Sequence, residues 1–124
     1  MILGIGIDIV EIARIDSLLN KFQDHFLNKI YTEQERDFCY GRNDIANSLA
    51  KMFSLKEATI KALSDAKGIK WHEMEIIHDK NGKPEIKLTG MALKKALEKS
   101  KSYKIYATTS DEKLYAVACV ILES

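Results

Sequence analysis

Gly4-Ile5-Gly6-Ile7-Asp8-Ile9 alternates its residue types with a period of two, the pattern of a β-strand. Successive strand side chains point to opposite faces, so Leu3, Ile5, Ile7 and Ile9 share one side while Gly4, Gly6 and Asp8 share the other. Glycines weaken a strand and signal that a ligand or another backbone comes close on their side. Asp8, at the end of that bare track, is placed to meet a cation. The competing reading is that Asp8 caps the helix that follows, since aspartate is a favoured N-cap.

Working outward, Ile12, Ile15, Leu18 and Leu19, then Phe22, Phe26 and Ile30, recur at helical intervals and predict one or two helices, with Arg14 and Lys21 off the apolar stripe. Thr32-Glu33-Gln34-Glu35 has the form of a capping box and starts a short helix to about Tyr40, ended by Gly41. A longer helix runs from near Asp44 to Leu63 or Ser64. Its apolar stripe is Ile45, Leu49, Met52, Phe53, Ile60 and Leu63, with Glu57 and Lys61 stacked four apart along one edge. Ala46, Ala50 and Ser54 beside them are small and leave room for a ligand. Lys56 falls inside the stripe, where an unpaired ammonium is costly, so it must snorkel out or meet a negative group such as a phosphate. Taken alone, Glu57 and Lys61 fit an ordinary exposed ion pair equally well.

Beyond Gly68 the period shortens again. Met74 to His78 and Glu85 to Leu88 read as strands around a turn at Asn81-Gly82. A helix carrying Met91, Leu93, Ala96 and Leu97 follows, with Thr89 as its cap. Tyr103 to Thr109 and Leu114 to Leu122 make a last hairpin. Strands paired through hairpins and separated by helices predict an α+β fold, with helices packed on one face of a largely antiparallel sheet.

The 124 residues suit one domain (1–124) able to bury its own core, and 46% hydrophobic with 30% charged residues is ordinary for a globular chain. A net charge of +1 provides no bulk field for nucleic acid. The lysines at 94, 95, 99, 101 and 104 read as a solvated helix face. Cys39 and Cys119 are too few for a disulfide framework or a zinc motif and read as free thiols in a reducing compartment. The apolar run from Ile2 is short and interrupted, so neither a secretory leader nor a membrane span is expected, and a cytoplasmic location is. His25, His72 and His78 are scattered and form no ligand set. The GxG before Asp8 lacks the third glycine and the strand-glycine-helix order of a dinucleotide loop.

Gly4-Ile5-Gly6-Ile7-Asp8-Ile9-Val10-Glu11, Phe53-Ser54-Leu55-Lys56-Glu57-Ala58-Thr59-Ile60-Lys61-Ala62-Leu63 and Asn81-Gly82-Lys83-Pro84, in this order and spacing, resemble the holo-acyl-carrier-protein synthases, the small 4'-phosphopantetheinyl transferases. The resemblance implies the 4'-phosphopantetheinyl transferase fold and a transfer of phosphopantetheine from coenzyme A to a serine of acyl carrier protein, in support of fatty acid biosynthesis. It implies that Asp8 and Glu57 hold magnesium, that Lys61 serves the reacting phosphate or a proton transfer, and that Gly82, Lys83 and Pro84 wall the coenzyme pocket. It also implies a homotrimer with sites at subunit boundaries and an acidic carrier surface, for which Arg14 and Lys21 are the candidate contacts. Two carboxylates suit magnesium, which takes few protein ligands and completes its shell with phosphate and water.

The chain departs from many relatives at Met52, where they carry arginine, at Ser64-Asp65-Ala66-Lys67-Gly68, where they are glycine-rich, and at Ser110, where they carry histidine. Lys51 can supply a point charge for the missing arginine, though not its planar fork. Lys51 and Lys56 thus join Lys61 as candidate coenzyme contacts. The same carboxylates would also serve a magnesium-dependent pyrophosphate hydrolase, and a coenzyme-A or nucleotide-binding module is the non-catalytic alternative.

Overall fold

The computed structural model describes residues 1–124. Strand β1 (Ile2–Glu11) leads into helices α1 (Ile12–Ile30), α2 (Glu33–Tyr40) and α3 (Ile45–Leu63), then strands β2 (Met74–His78) and β3 (Pro84–Leu88), helix α4 (Gly90–Lys99) and strands β4 (Lys104–Asp111) and β5 (Tyr115–Glu123). The strands form two separate antiparallel sheets, β1-β5-β4 and the β2-β3 hairpin, rather than the one sheet expected. In the larger sheet Ile5 faces Ile121, Ile7 faces Cys119 and Asp8 faces Ala118.

α3 is the central element, and small residues decide its position. Ala50, Ser54, Ala58 and Ala62 recur every fourth residue and are buried. A Cβ added at Gly4 or Gly6 would overlap the carbonyl oxygens of Ala62 or Ala58, so the glycine track is where the helix backbone lies on the strand. The small residues of α3 therefore admit β1 rather than a ligand. Gly6→Ala should cost close to the upper end of the roughly 1–3 kcal/mol typical of overpacking, because a backbone carbonyl cannot rotate aside as a side chain can. A melting temperature equal to that of the parent would mean that helix and strand are not in this contact.

The caps bear out most of the predicted boundaries. Thr32 Oγ1 accepts from Glu35 N at 3.2 Å while Glu35 Oε1 accepts from Thr32 N at 2.8 Å, and Gly41 closes α2. Asp44 caps α3 by accepting from Asn47 N at 3.0 Å. α1 is two helical segments joined at Gln23, whose φ of 46° interrupts the helix. Thr89 makes no side-chain cap on α4; its backbone N–H donates to Glu73 O at 2.9 Å, and the Glu73 carboxylate lies against Gly90 instead.

With α3 covering one face of the β1-β5-β4 sheet, the opposite face is bare. Ile5, Ile7 and Ile9 are 65%, 63% and 65% exposed, and Tyr106 on β4 stands in the same row as Ile5 and Ile121.

Candidate active site

Asp8 and the Glu57 edge of α3 are brought together by the contact that the glycines permit. Ser54 Oγ donates to the carbonyl of Asp8 at 2.9 Å, which pins α3 to β1 one turn before Glu57. One turn beyond, Lys61 Nζ donates to the carbonyl of Ile7 at 2.8 Å and lies 3.6 Å from Asp8 Oδ1. Asp8 caps no helix: α1 starts at Ile12, with Glu11 as its N-cap residue. Its side chain is 16% exposed, enough to be reached from solvent.

Burial pushes the Glu57 carboxyl above its ordinary range, and the charge of Asp8 adds to the rise while Lys61 and Arg14 oppose it. Asp8, Lys61 and Arg14 therefore all lie within electrostatic reach of Glu57. Two carboxylates that repel each other and attract cations form a donor set that suits magnesium when phosphate and water complete the shell. Arg14 is exposed on the first turn of α1 near this patch, whereas Lys21 lies further along, its Nζ 5.4 Å from the centre of the Phe22 ring.

A second feature lies on another side of α3. Ser48, Lys51, Met52 and Leu55 line a cavity of about 450 Å³ with Phe38, Arg42, His78, Asp79, Lys80 and Gly82. At 3.6 residues per turn, Lys51, Met52 and Leu55 are rotated by about 120° or more from Glu57. Arg42, Lys51 and Lys80 face a single carboxylate, Asp79, across the cavity, although Lys51 is also 3.5 Å from Asp111. The guanidinium of Arg42 sits 5.4 Å from the Phe38 ring centre, and Phe38 stacks nearly parallel on His78 at 4.0 Å. Met52 lies in the cavity wall, 1% exposed, with its sulfur 3.6 Å from Cys39 Sγ.

Gly82 lines this cavity. Lys83 and Pro84 do not, because their backbones close the hairpin: Lys83 N donates to Asp79 Oδ1 at 2.9 Å, and Pro84 pairs with His78 at the strand end. Arg42 carries no signal in the sequence, because a lone arginine after a helix end has no periodicity to mark it. It lines the same cavity as Met52 and presents a planar guanidinium there.

Lys56 requires a correction. It is fully buried and fully partnered, with Nζ 2.9 Å from Glu35 Oε1 and donating to the carbonyls of Trp71 at 3.0 Å and Met74 at 2.9 Å. All three ammonium protons are spent, so no donor remains for a coenzyme phosphate. The partner is the capping-box residue of α2, whose Oε2 also accepts from Ile76 N at 2.7 Å.

A carboxylate pair with an adjacent lysine, and a basic cavity of cofactor size on the same helix, mark a protein that handles phosphate groups. The sequence model of the 4'-phosphopantetheinyl transferase superfamily matches residues 4–120. A holo-[acyl-carrier-protein] synthase of Geobacter sulfurreducens is 40% identical, over 99% of this chain and 98% of its own length. The crystal structure of the Neisseria meningitidis synthase superposes with a TM-score of 0.86 at 38% identity, covering both chains completely. The Bacillus anthracis synthase, solved in complex with CoA (3',5'-ADP), gives 0.82 at 33% identity over 100% of this chain and 98% of that one. The chain belongs to the holo-acyl-carrier-protein synthases of that superfamily. No helix is long and apolar enough to cross a membrane.

Proposed function

We propose that this chain transfers the 4'-phosphopantetheine group of coenzyme A to a serine hydroxyl of apo acyl carrier protein, leaving adenosine 3',5'-bisphosphate. The serine oxygen bonds to the phosphorus of the phosphopantetheine, the bond from that phosphorus to the bridging oxygen breaks, and the hydroxyl proton passes to a base of the site. The observation that carries this reading is the convergence of Asp8, Glu57 and Lys61. The relative solved with coenzyme A supports the choice of donor.

Asp8 and Glu57 would hold magnesium, which when bound supplies positive charge against the pyrophosphate oxygens. Lys61, 54% exposed and anchored on Ile7 O, adds a fixed cation where negative charge grows during transfer. Arg42, Lys51 and Lys80 suit the remaining phosphate of the coenzyme. Lys51→Ala should weaken coenzyme A binding about tenfold, the scale of one charge-assisted hydrogen bond, while barely affecting the 3'-dephospho form. Calorimetry with both ligands checks this, and equal losses would remove Lys51 from that phosphate.

The acidic patch and the basic cavity face different directions within one chain. A homotrimer, with each site assembled from the patch of one copy and the cavity of its neighbour, reconciles them and would cover the bare Ile5-Ile7-Ile9 face. Sedimentation of the pure protein checks the stoichiometry. Arg14, exposed beside Glu57, is the carrier contact of choice; Lys21 on the same helix extends the surface. Arg14→Glu should raise the KM for carrier at least about tenfold, with a smaller effect at high salt and little change for coenzyme A. Equal changes for the two substrates would place Arg14 elsewhere. Two free thiols and the family's chemistry fit a cytoplasmic enzyme serving fatty acid synthesis.

Mass spectrometry of apo carrier incubated with coenzyme A and magnesium tests the whole reading. A gain in carrier mass is the expected result. Cleavage of coenzyme A without that gain would replace it with a hydrolase, and unchanged components would replace it with a binding module.

A further inference from the structure

We propose that His78 couples occupation of the basic cavity to the uptake of a proton, so that its ring joins Arg42, Lys51 and Lys80 in holding the bound phosphate. The inference rests on the reading of this cavity as a coenzyme site.

His78 ends β2 and reaches the cavity wall, where its ring is stacked on Phe38. The charged groups around it come from every neighbouring element: Arg42 from the segment after α2, Lys51 from α3, and Asp79 and Lys80 from the β2-β3 turn. Burial holds the ring's proton affinity below the ordinary histidine value, Arg42 and Lys51 lower it further, and Asp79 alone opposes them. No carboxylate is hydrogen-bonded to the ring to keep it protonated. The free cavity thus combines fixed cations with an imidazole whose protonation they and burial disfavour.

A phosphomonoester reverses that balance. It brings a charge of about −1.5 to −2 at neutral pH into a space walled by Arg42, Lys51 and Lys80. The positive potential at the ring falls, which favours a second N–H on the imidazole as a second donor. The stack on Phe38 favours the same state, because a cationic ring over an aromatic face is attracted to it. His78 then titrates lower in the free protein than in the complex. Between those two values the affinity falls by up to about tenfold per pH unit as pH rises; below both or above both, this ring contributes no pH dependence.

The phosphate's own ionisation near pH 6 acts in the opposite sense, since binding the dianion expels a proton. The measurement is therefore a difference. Coenzyme A is titrated calorimetrically into the parent protein and into His78→Asn at pH 7, in two buffers of unlike ionisation enthalpy. The parent should take up roughly 0.3 to 1 proton more than the variant, and the gap should shrink with 3'-dephospho-coenzyme A. Equal proton uptake by parent and variant overturns the coupling. A second readout needs no substitution: the His78 ring proton is followed by NMR against pH, with and without adenosine 3',5'-bisphosphate. Its midpoint should rise by about one unit or more on binding, and an unmoved midpoint in the bound protein overturns the proposal. Absence of any binding heat with the parent would overturn the coenzyme reading of the cavity and the coupling with it, whereas binding with no difference in proton uptake between parent and variant sinks the coupling alone.

Discussion

Asp8→Asn and Glu57→Gln should each lower transfer by at least about a hundredfold while leaving the melting temperature within a few degrees of the parent. Each change keeps the size of the side chain and removes one negative charge. The structural cost is small because the only ion pair of Asp8, to Lys61 at 3.6 Å, joins a half-exposed ammonium, and such pairs contribute about 0–1 kcal/mol. The anchor between α3 and β1 survives, since Ser54 binds the backbone carbonyl of Asp8 and not its carboxylate. The loss should instead appear in the magnesium dependence, with both variants needing far more of the ion to reach any given rate. Near-parent activity of either variant at low magnesium would strip that residue of its proposed role as a ligand.

Lys56→Met should be the most destabilising of the substitutions considered, at roughly 3–5 kcal/mol, because it leaves the Glu35 carboxylate buried without its counter-charge. For a chain of this size that is on the order of a 10–20 °C fall in melting temperature. The ammonium also satisfies the carbonyls of Trp71 and Met74, so its removal loosens the join between α3, α2 and the β2-β3 hairpin. Adding Glu35→Gln to Lys56→Met should recover part of the loss, since no unpaired charge then remains inside. Strictly additive losses would show that the two residues do not act as a pair. Coenzyme A affinity per folded molecule should stay at the parent value in Lys56→Met, in line with a lysine that has no exposed surface.

The elements most legible in the sequence are those with local causes. The capping box at Thr32-Glu35, the helix start near Asp44 and the Asn81-Gly82 turn each depend on groups a few residues apart, and all three appear where their chemistry puts them. Thr89 failed as a cap because Glu73, from the other end of the hairpin, already occupies the start of α4. Lys56 shows the same limit. Its place inside an apolar stripe called for either snorkelling or a negative partner, and a phosphate and a distant glutamate satisfy the second equally well on paper. Glu35 is twenty-one positions away and already engaged in a local cap, so nothing in the spacing pointed to it.

For the site, the strand and helix patterns together with the family resemblance point to Asp8, Glu57 and Lys61, and the fold brings all three to one patch. Arg42 and His78 had no such signal; they became neighbours only when α2 and the β2-β3 turn closed around α3. The sequence by itself determined the α+β class, most element boundaries and the family, because each depends on periodicity, short-range hydrogen bonding or ordered motifs. Only the tertiary structure decided that the glycine track receives a helix rather than a ligand, that Lys56 is internal, and that the basic cavity turns away from the carboxylates. Those outcomes depend on which backbones approach one another across tens of residues, and the charge that finally pairs with a side chain is fixed by that approach.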